Sequence, residues 1–147
     1  MDSRVESPDN TDPAVVPVIS VCAAVIMRDN SFLLATRRQD SHLAGKWEFP
    51  GGKTHGDEGL CNCIRRELHE ELGLRVLEAE HIRTLVHDYD GKRIILHFMH
   101  CTISPDAKPI CNEGQKCAWV PLEEMNCFDL AAADKRFVEI LHGGQTR

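Results

Sequence analysis

From Pro17 to Met27 the chain reads VISVCAAVIM after its proline, nearly unbroken in apolar character and rich in β-branched residues, which predicts a buried strand. Arg28-Asp29-Asn30 is turn chemistry leading into a second strand, Phe32 to Thr36. Residues 38 to 57 carry Gly45, Pro50, Gly51, Gly52 and Gly56 around a short apolar stretch, Trp47-Glu48-Phe49, and read as a long loop of functional character. The strongest helical signal follows, from Glu58 to Leu72, with Leu60, Ile64, Leu68 and Leu72 on one stripe and Gly73 placed for a left-handed cap. Strands are expected at 74 to 87 and 93 to 103, flanking the hairpin signal Asp90-Gly91, and again from Lys116 to Val120. A closing helix over 130 to 141 puts Leu130, Ala133, Phe137, Ile140 and Leu141 on one side. Strands, a central helix, more strands and a last helix make an α+β or mixed α/β sandwich.

Composition narrows the class. A chain of 147 residues, 42% hydrophobic and 27% charged, is expected to form one soluble packed domain. The polar segment up to Ala14 has no apolar period and is expected to be a disordered leader, with the domain over 15 to 142 and a flexible tail over 143 to 147. The net charge of −6 argues against nucleic acid or anionic membrane as a partner, so a phosphate ligand would need a cation as intermediary. The opening MDSRVESPDNTDP lacks the features of a secretory signal, and no apolar run is long enough to span a bilayer, so a cytoplasmic protein is expected. Seven cysteines with no Cys-x-x-Cys spacing are read as thiols, mostly small buried hydrophobes, in a reducing compartment.

One cluster resists a structural explanation. Glu67, Glu70 and Glu71 stand at i, i+3 and i+4 near a helix C-terminus, where mutual repulsion and the helix dipole both disfavour them. Their carboxylates are expected to reach a shared point, and oxygen donors without His or Cys suit a hard cation, Mg²⁺ or Mn²⁺. Upstream, Gly51-Gly52-Lys53 lets backbone approach a ligand closely while Lys53 meets phosphate.

The spacing joins these parts. Gly52, five residues, Glu58, seven residues, then Arg66-Glu67-Leu68-x-Glu70-Glu71-x-Gly73-Leu74 resembles the signature of the Nudix hydrolases, G-x5-E-x7-R-E-U-x-E-E-x-G-U with U apolar, at every position. The resemblance implies an α/β/α sandwich around a mixed sheet and hydrolysis of a nucleoside diphosphate linked to another moiety. By the same likeness Glu67, Glu70, Glu71 and the Gly51 carbonyl would hold metal, and Gly52, Glu58 and Arg66 would support the loop and helix. The catalytic base would be Glu67 or an acid from a later loop, here Glu113, whose plain alternative is an ordinary loop acid.

Beyond the signature, Thr36-Arg37-Arg38, Trp47 to Lys53, Asn112 to Gln115 and Leu130 to Asp134 resemble the MutT branch and its relatives that act on CTP. There Arg38 and Phe49 match residues lining the base pocket; the alternatives are a solvated arginine and a core phenylalanine. Asp134 stands where MutT has asparagine. Ionised, it accepts only, which suits a cytosine amino group or the N–H groups of an oxidised purine; buried and protonated, it would also donate; or it is merely a polar helix residue.

The first reading is therefore a monomeric pyrophosphohydrolase of 8-oxo-dGTP, with CTP or modified cytidine nucleotides as the alternative substrate. A non-catalytic binding module is disfavoured by the intact carboxylates. Tyr89 is read as hairpin decoration.

Overall fold

In the computed structural model residues 16–37 and 45–145 are described; the expected leader and Arg38 lie outside them. Strand β1 (Val18–Val25) sends Val21, Ala23 and Val25 to one side and Cys22 and Ala24 to the other, and both sides are buried. That explains why its sequence is continuously apolar: a central strand covered on both faces has no solvent side to mark. After β2 (Met27–Arg28), β3 (Ser31–Thr36), β4 (Trp47–Glu48) and β5 (Gly51–Lys53) comes helix α1 (Leu60–Leu72). Strands β6 (Glu78–Tyr89), β7 (Lys92–Thr102) and β8 (Cys117–Pro121), a 3-10 turn (Leu122–Cys127) and helix α2 (Ala132–Gln145) complete the chain.

One sheet runs β5-β1-β7-β6 and is mixed, because β1 pairs parallel with β7, from Val18 opposite Arg93 to Val25 opposite His100. The second sheet is built on β3, which pairs antiparallel with β2, β4 and β8. Helix α1 buries Ile64, Leu68 and Leu72 with Cys22, Ala24 and Met99, whereas α2 buries Ala133, Phe137 and Val138 with Ala23, Leu96 and Phe98. The result is the expected α/β/α sandwich, with α2 reaching into the expected tail as far as Gln145. No described helix is long and apolar enough to cross a membrane.

Local chemistry accounts for the turns. Asp90 (φ 37°) and Gly91 (φ 81°) both adopt positive φ, the requirement of a tight hairpin between β6 and β7. Gly73 ends α1 at φ 62°, returning its N–H to the carbonyl of His69.

The cysteines depart from expectation. Cys22 on β1 and Cys63 on α1 are joined in a disulfide with a Cα–Cα distance of 6.7 Å. They are inward positions of two facing elements, and a sequence separation of 41 residues gave no spacing signal. Cys101 is a buried thiol as expected, with burial pushing it up to about 12, but Cys61, Cys111 and Cys127 are exposed.

Candidate active site

Strand β5 is an edge strand whose glycines carry the backbone between β1 and α1. A Cβ on Gly51 would lie 1.9 Å from the carbonyl oxygen of Cys22, and one on Gly52 would lie 2.4 Å from the carboxylate carbon of Glu67. The double glycine is thus a packing requirement: the loop lies flat on the acid-bearing face of α1.

Arg66 binds the loop to the helix. Its Nε and Nη2 donate to the two carboxylate oxygens of Glu58 at 2.7 and 2.9 Å, and Nη2 also donates to the Lys53 carbonyl at 3.0 Å. Nη1 turns the other way, donating to Glu67 at 2.8 Å and Glu70 at 3.3 Å. This fork geometry suits the rigid guanidinium. Arg66, together with an N–H from His55, holds the Glu58 carboxyl down to about 2. Glu58 and Arg66 thus join the loop to the helix, and Gly52 lies against Glu67.

The three acids are not equivalent. Glu67 is buried, Glu71 half-buried and Glu70 largely exposed. Burial, and then the charges of Glu67, Glu48 and Glu113, push the Glu71 carboxyl up to about 8. Among the described residues no three acidic, His or Cys side chains gather as a formed metal cluster. Arg66 draws oxygens of Glu67 and Glu70 toward itself, and all three acids of α1 line one cavity. The donor set nevertheless fits a hard divalent cation, because Glu67, Glu71 and Glu113 crowd negative charge together and supply only oxygen.

Glu113 reaches this face because its loop is docked on the C-terminal end of α1. Asn112 donates from its backbone N–H to the Glu71 carbonyl at 3.1 Å and from Nδ2 to the Glu70 carbonyl at 3.1 Å, and Gln115 Nε2 donates to Glu71 at 3.2 Å. These are carbonyls a helix end leaves unsatisfied, so the loop serves as a cap.

A cavity of about 600 Å³ is lined by Gly51, Lys53, the three acids of α1 and Glu113, and equally by Arg37, Glu48, Phe49, Tyr89 and Asp134. Asp134, in the first turn of α2, is only 4% exposed; its Oδ1 accepts the Phe49 N–H at 3.0 Å. Burial, and then the nearby Glu48, raise its carboxyl well above the usual range. Phe49 is not a free stacking face. Only 1% exposed, its ring meets Phe32, Phe98 and Phe137 edge-on at 6.2, 5.8 and 5.4 Å, as a core phenylalanine does. Arg38 lies outside the described residues; the neighbouring Arg37 lines the cavity and donates to Glu48 at 3.0 Å. Burial raises the Glu48 carboxyl, against the opposing effect of Arg37.

Sequence reasoning missed Arg37, Glu48, Gln115 and Tyr89. Tyr89 is no decoration: its hydroxyl accepts the Ala133 N–H at 3.3 Å beside Asp134, and its ring packs against His87 at 4.4 Å. The alternation in Trp47-Glu48 could have flagged Glu48, since a strand that packs Trp47 against the core turns Glu48 to its other face.

Comparison with known proteins agrees with this geometry. The model of the NUDIX domain family matches residues 21–139. The CTP pyrophosphohydrolase of Escherichia coli is 38% identical over 124 residues, covering 83% of this chain and 90% of that protein. The 8-oxo-dGTP diphosphatase of Escherichia coli is 30% identical over 118 residues, covering 80% and 91%. The crystal structure of a MutT protein from Methanosarcina mazei superposes with a TM-score of 0.79 at 27% identity, covering 90% of this chain and 98% of that one.

Proposed function

Since the chain belongs to the Nudix hydrolase family, we propose that it is a Mg²⁺- or Mn²⁺-dependent nucleoside triphosphate pyrophosphohydrolase that converts an oxidised nucleotide such as 8-oxo-dGTP to the monophosphate and pyrophosphate. The observation that carries this reading is a single cavity lined both by the acids of α1 and by the buried Asp134. Charged phosphates and a neutral base need such opposed surroundings within one site.

Glu67, Glu70, Glu71, Glu113 and the Gly51 carbonyl would hold the cation. When bound, it neutralises polyphosphate charge and acidifies the attacking water. Lys53 meets a phosphate oxygen as a point charge. Arg66 holds the Gly51–Lys53 backbone and Glu67 in mutual register. Glu67 or Glu113 takes the proton of the water as its oxygen bonds to phosphorus and the bridging P–O bond breaks, releasing pyrophosphate.

Asp134 supports the oxidised-guanine reading. With Oδ1 occupied by Phe49 and the carboxyl biased toward its protonated form, it offers an O–H as well as acceptor capacity, as an amide would. The alternative, CTP or a modified (deoxy)cytidine triphosphate, is favoured by the 38% identity to a CTP pyrophosphohydrolase; there an ionised Asp134 would accept from the cytosine amino group.

Pyrophosphate release with Mg²⁺ across 8-oxo-dGTP, dGTP, CTP, dCTP and 5-methyl-dCTP, for the wild type and Asp134→Asn, separates the two. On the first reading 8-oxo-dGTP leads by kcat/KM and Asp134→Asn retains it. A lead for cytidine nucleotides that Asp134→Asn abolishes establishes the second. Glu71→Gln should lose Mg²⁺-dependent turnover while keeping its fold; retained turnover overturns the metal assignment.

A further inference from the structure

The proposed mechanism gives no task to Cys111 and Cys117, yet their sulfurs lie 2.8 Å apart. Cys111 is exposed and Cys117, at the start of β8, is partly so, which leaves the pair open to small solutes. Both ends of the intervening segment are held. On the Cys111 side, Ile110 N–H donates to the Leu72 carbonyl at 2.8 Å and Asn112 N–H to that of Glu71 at 3.1 Å; on the other, Lys116 N–H donates to Thr36 Oγ1 at 2.9 Å. The proximity of the sulfurs is therefore imposed by anchored backbone on either side of them. Among the other cysteines, Cys22 and Cys63 are already linked, Cys101 is buried, the exposed Cys61 directs its sulfur to the Ala79 carbonyl, and the exposed Cys127 stands at the end of the 3-10 turn.

We propose that Cys111 and Cys117 are a reversible oxidation site, with a peroxide as the oxidant, whose disulfide closes the loop bearing Glu113 into a covalent ring. The exposed Cys111 sulfur attacks the peroxide; the O–O bond breaks, the sulfur is oxidised by two electrons to the sulfenic acid, and water (an alcohol, from an organic peroxide) leaves. The Cys117 sulfur then displaces the hydroxyl from Cys111, forming the S–S bond and releasing a second water. With hydrogen peroxide the sum is two thiols and one peroxide giving a disulfide and two waters, and a dithiol reductant reverses it.

Ring closure adds a covalent constraint to a segment that contains a hydrogen bond from the Glu113 N–H to Gln115 and one left-handed glycine, Gly114 (φ 77°). The loop therefore opens less often, and its amides exchange more slowly. Any effect on turnover rests on the role proposed for Glu113; the chemistry of the pair does not.

The test treats the full chain, with the Cys111–Cys117 pair first reduced, with one equivalent of hydrogen peroxide, maps disulfides by non-reducing peptide mass spectrometry, and follows hydrogen exchange over 112 to 116. A Cys111–Cys117 link with several-fold slower exchange, reversed by dithiothreitol, is the expected result. In Cys117→Ser, oxidation should stop at a Cys111 sulfenic acid that dimedone traps, with exchange unchanged. Two thiols still open to alkylation, a link to some other cysteine, or a link that leaves exchange unaltered would each overturn the proposal. Parallel turnover assays keep the two ideas apart: a formed link and slowed exchange with unchanged kcat would tell against Glu113 in catalysis while leaving the oxidation site standing.

Discussion

Gly52 shows how little room the site has at the level of single atoms. A methyl group there would meet the Glu67 carboxylate at 2.4 Å, and that carboxylate is held by Arg66. Gly52→Ala is expected to cost about 1–3 kcal/mol of stability through overpacking, measured by urea unfolding, and to lower turnover further by turning Glu67 aside. Glu58 yields a pH prediction. Its carboxyl falls from an ordinary 4.5 to about 2 through its bonds to Arg66, so its contribution is full above 4.5 and disappears as pH falls toward 2. Unfolding midpoints of the wild type and Glu58→Gln should differ by a constant amount near neutrality and converge in strong acid. A gap that persists at the lowest pH would show that the Glu58 charge is not what holds the loop.

Among the elements, α1 was legible because everything that defines it is local: the apolar stripe, Gly73 just past its end, and acids at i, i+3 and i+4. The hairpin at Asp90-Gly91 was legible for the same reason. The parallel pairing of β1 with β7 was not, since its partners lie some 75 positions apart, Val18 with Arg93 for example, and no short-range pattern encodes them. Tyr89 was misread on those grounds: its partner is the N-terminal turn of α2, brought near only when the hairpin folds back. Tyr89→Phe removes the acceptor of the Ala133 N–H and should cost about 0.5–1.5 kcal/mol. Because that N–H belongs to the turn carrying Asp134, KM for the nucleotide should rise more than kcat falls. A variant with unchanged KM would mean that Tyr89 only stabilises.

In the whole molecule the sheet divides the core in two. The half under α2 is aromatic, with Phe98 and Phe137 stacked at 3.9 Å and Phe49 edge-on to both. Phe137→Ala should cost about 3–5 kcal/mol by thermal or urea unfolding and loosen the floor beneath Asp134, raising KM as well. This division also governs which parts of the site could be read in advance. The carboxylates of α1 belong to one helix and one signature, whereas Arg37, Glu48, Tyr89 and Asp134 come from four segments that meet only in the folded chain. The bonds from Arg66 to Glu67 and Glu70 were not legible either, because a sequence shows which charges are neighbours but not which oxygens they turn toward.

The same division has a consequence for how the protein can be altered. The helix that carries the acids is seated on one face of the sheet, and the helix that carries Asp134 on the other. On the function proposed above, varying Tyr89 and Asp134 would change the base end without touching the contacts that seat Glu67 and Arg66. A library built at those two positions could therefore be screened for new nucleotides with its hydrolytic half intact, so that selectivity becomes an exchangeable part.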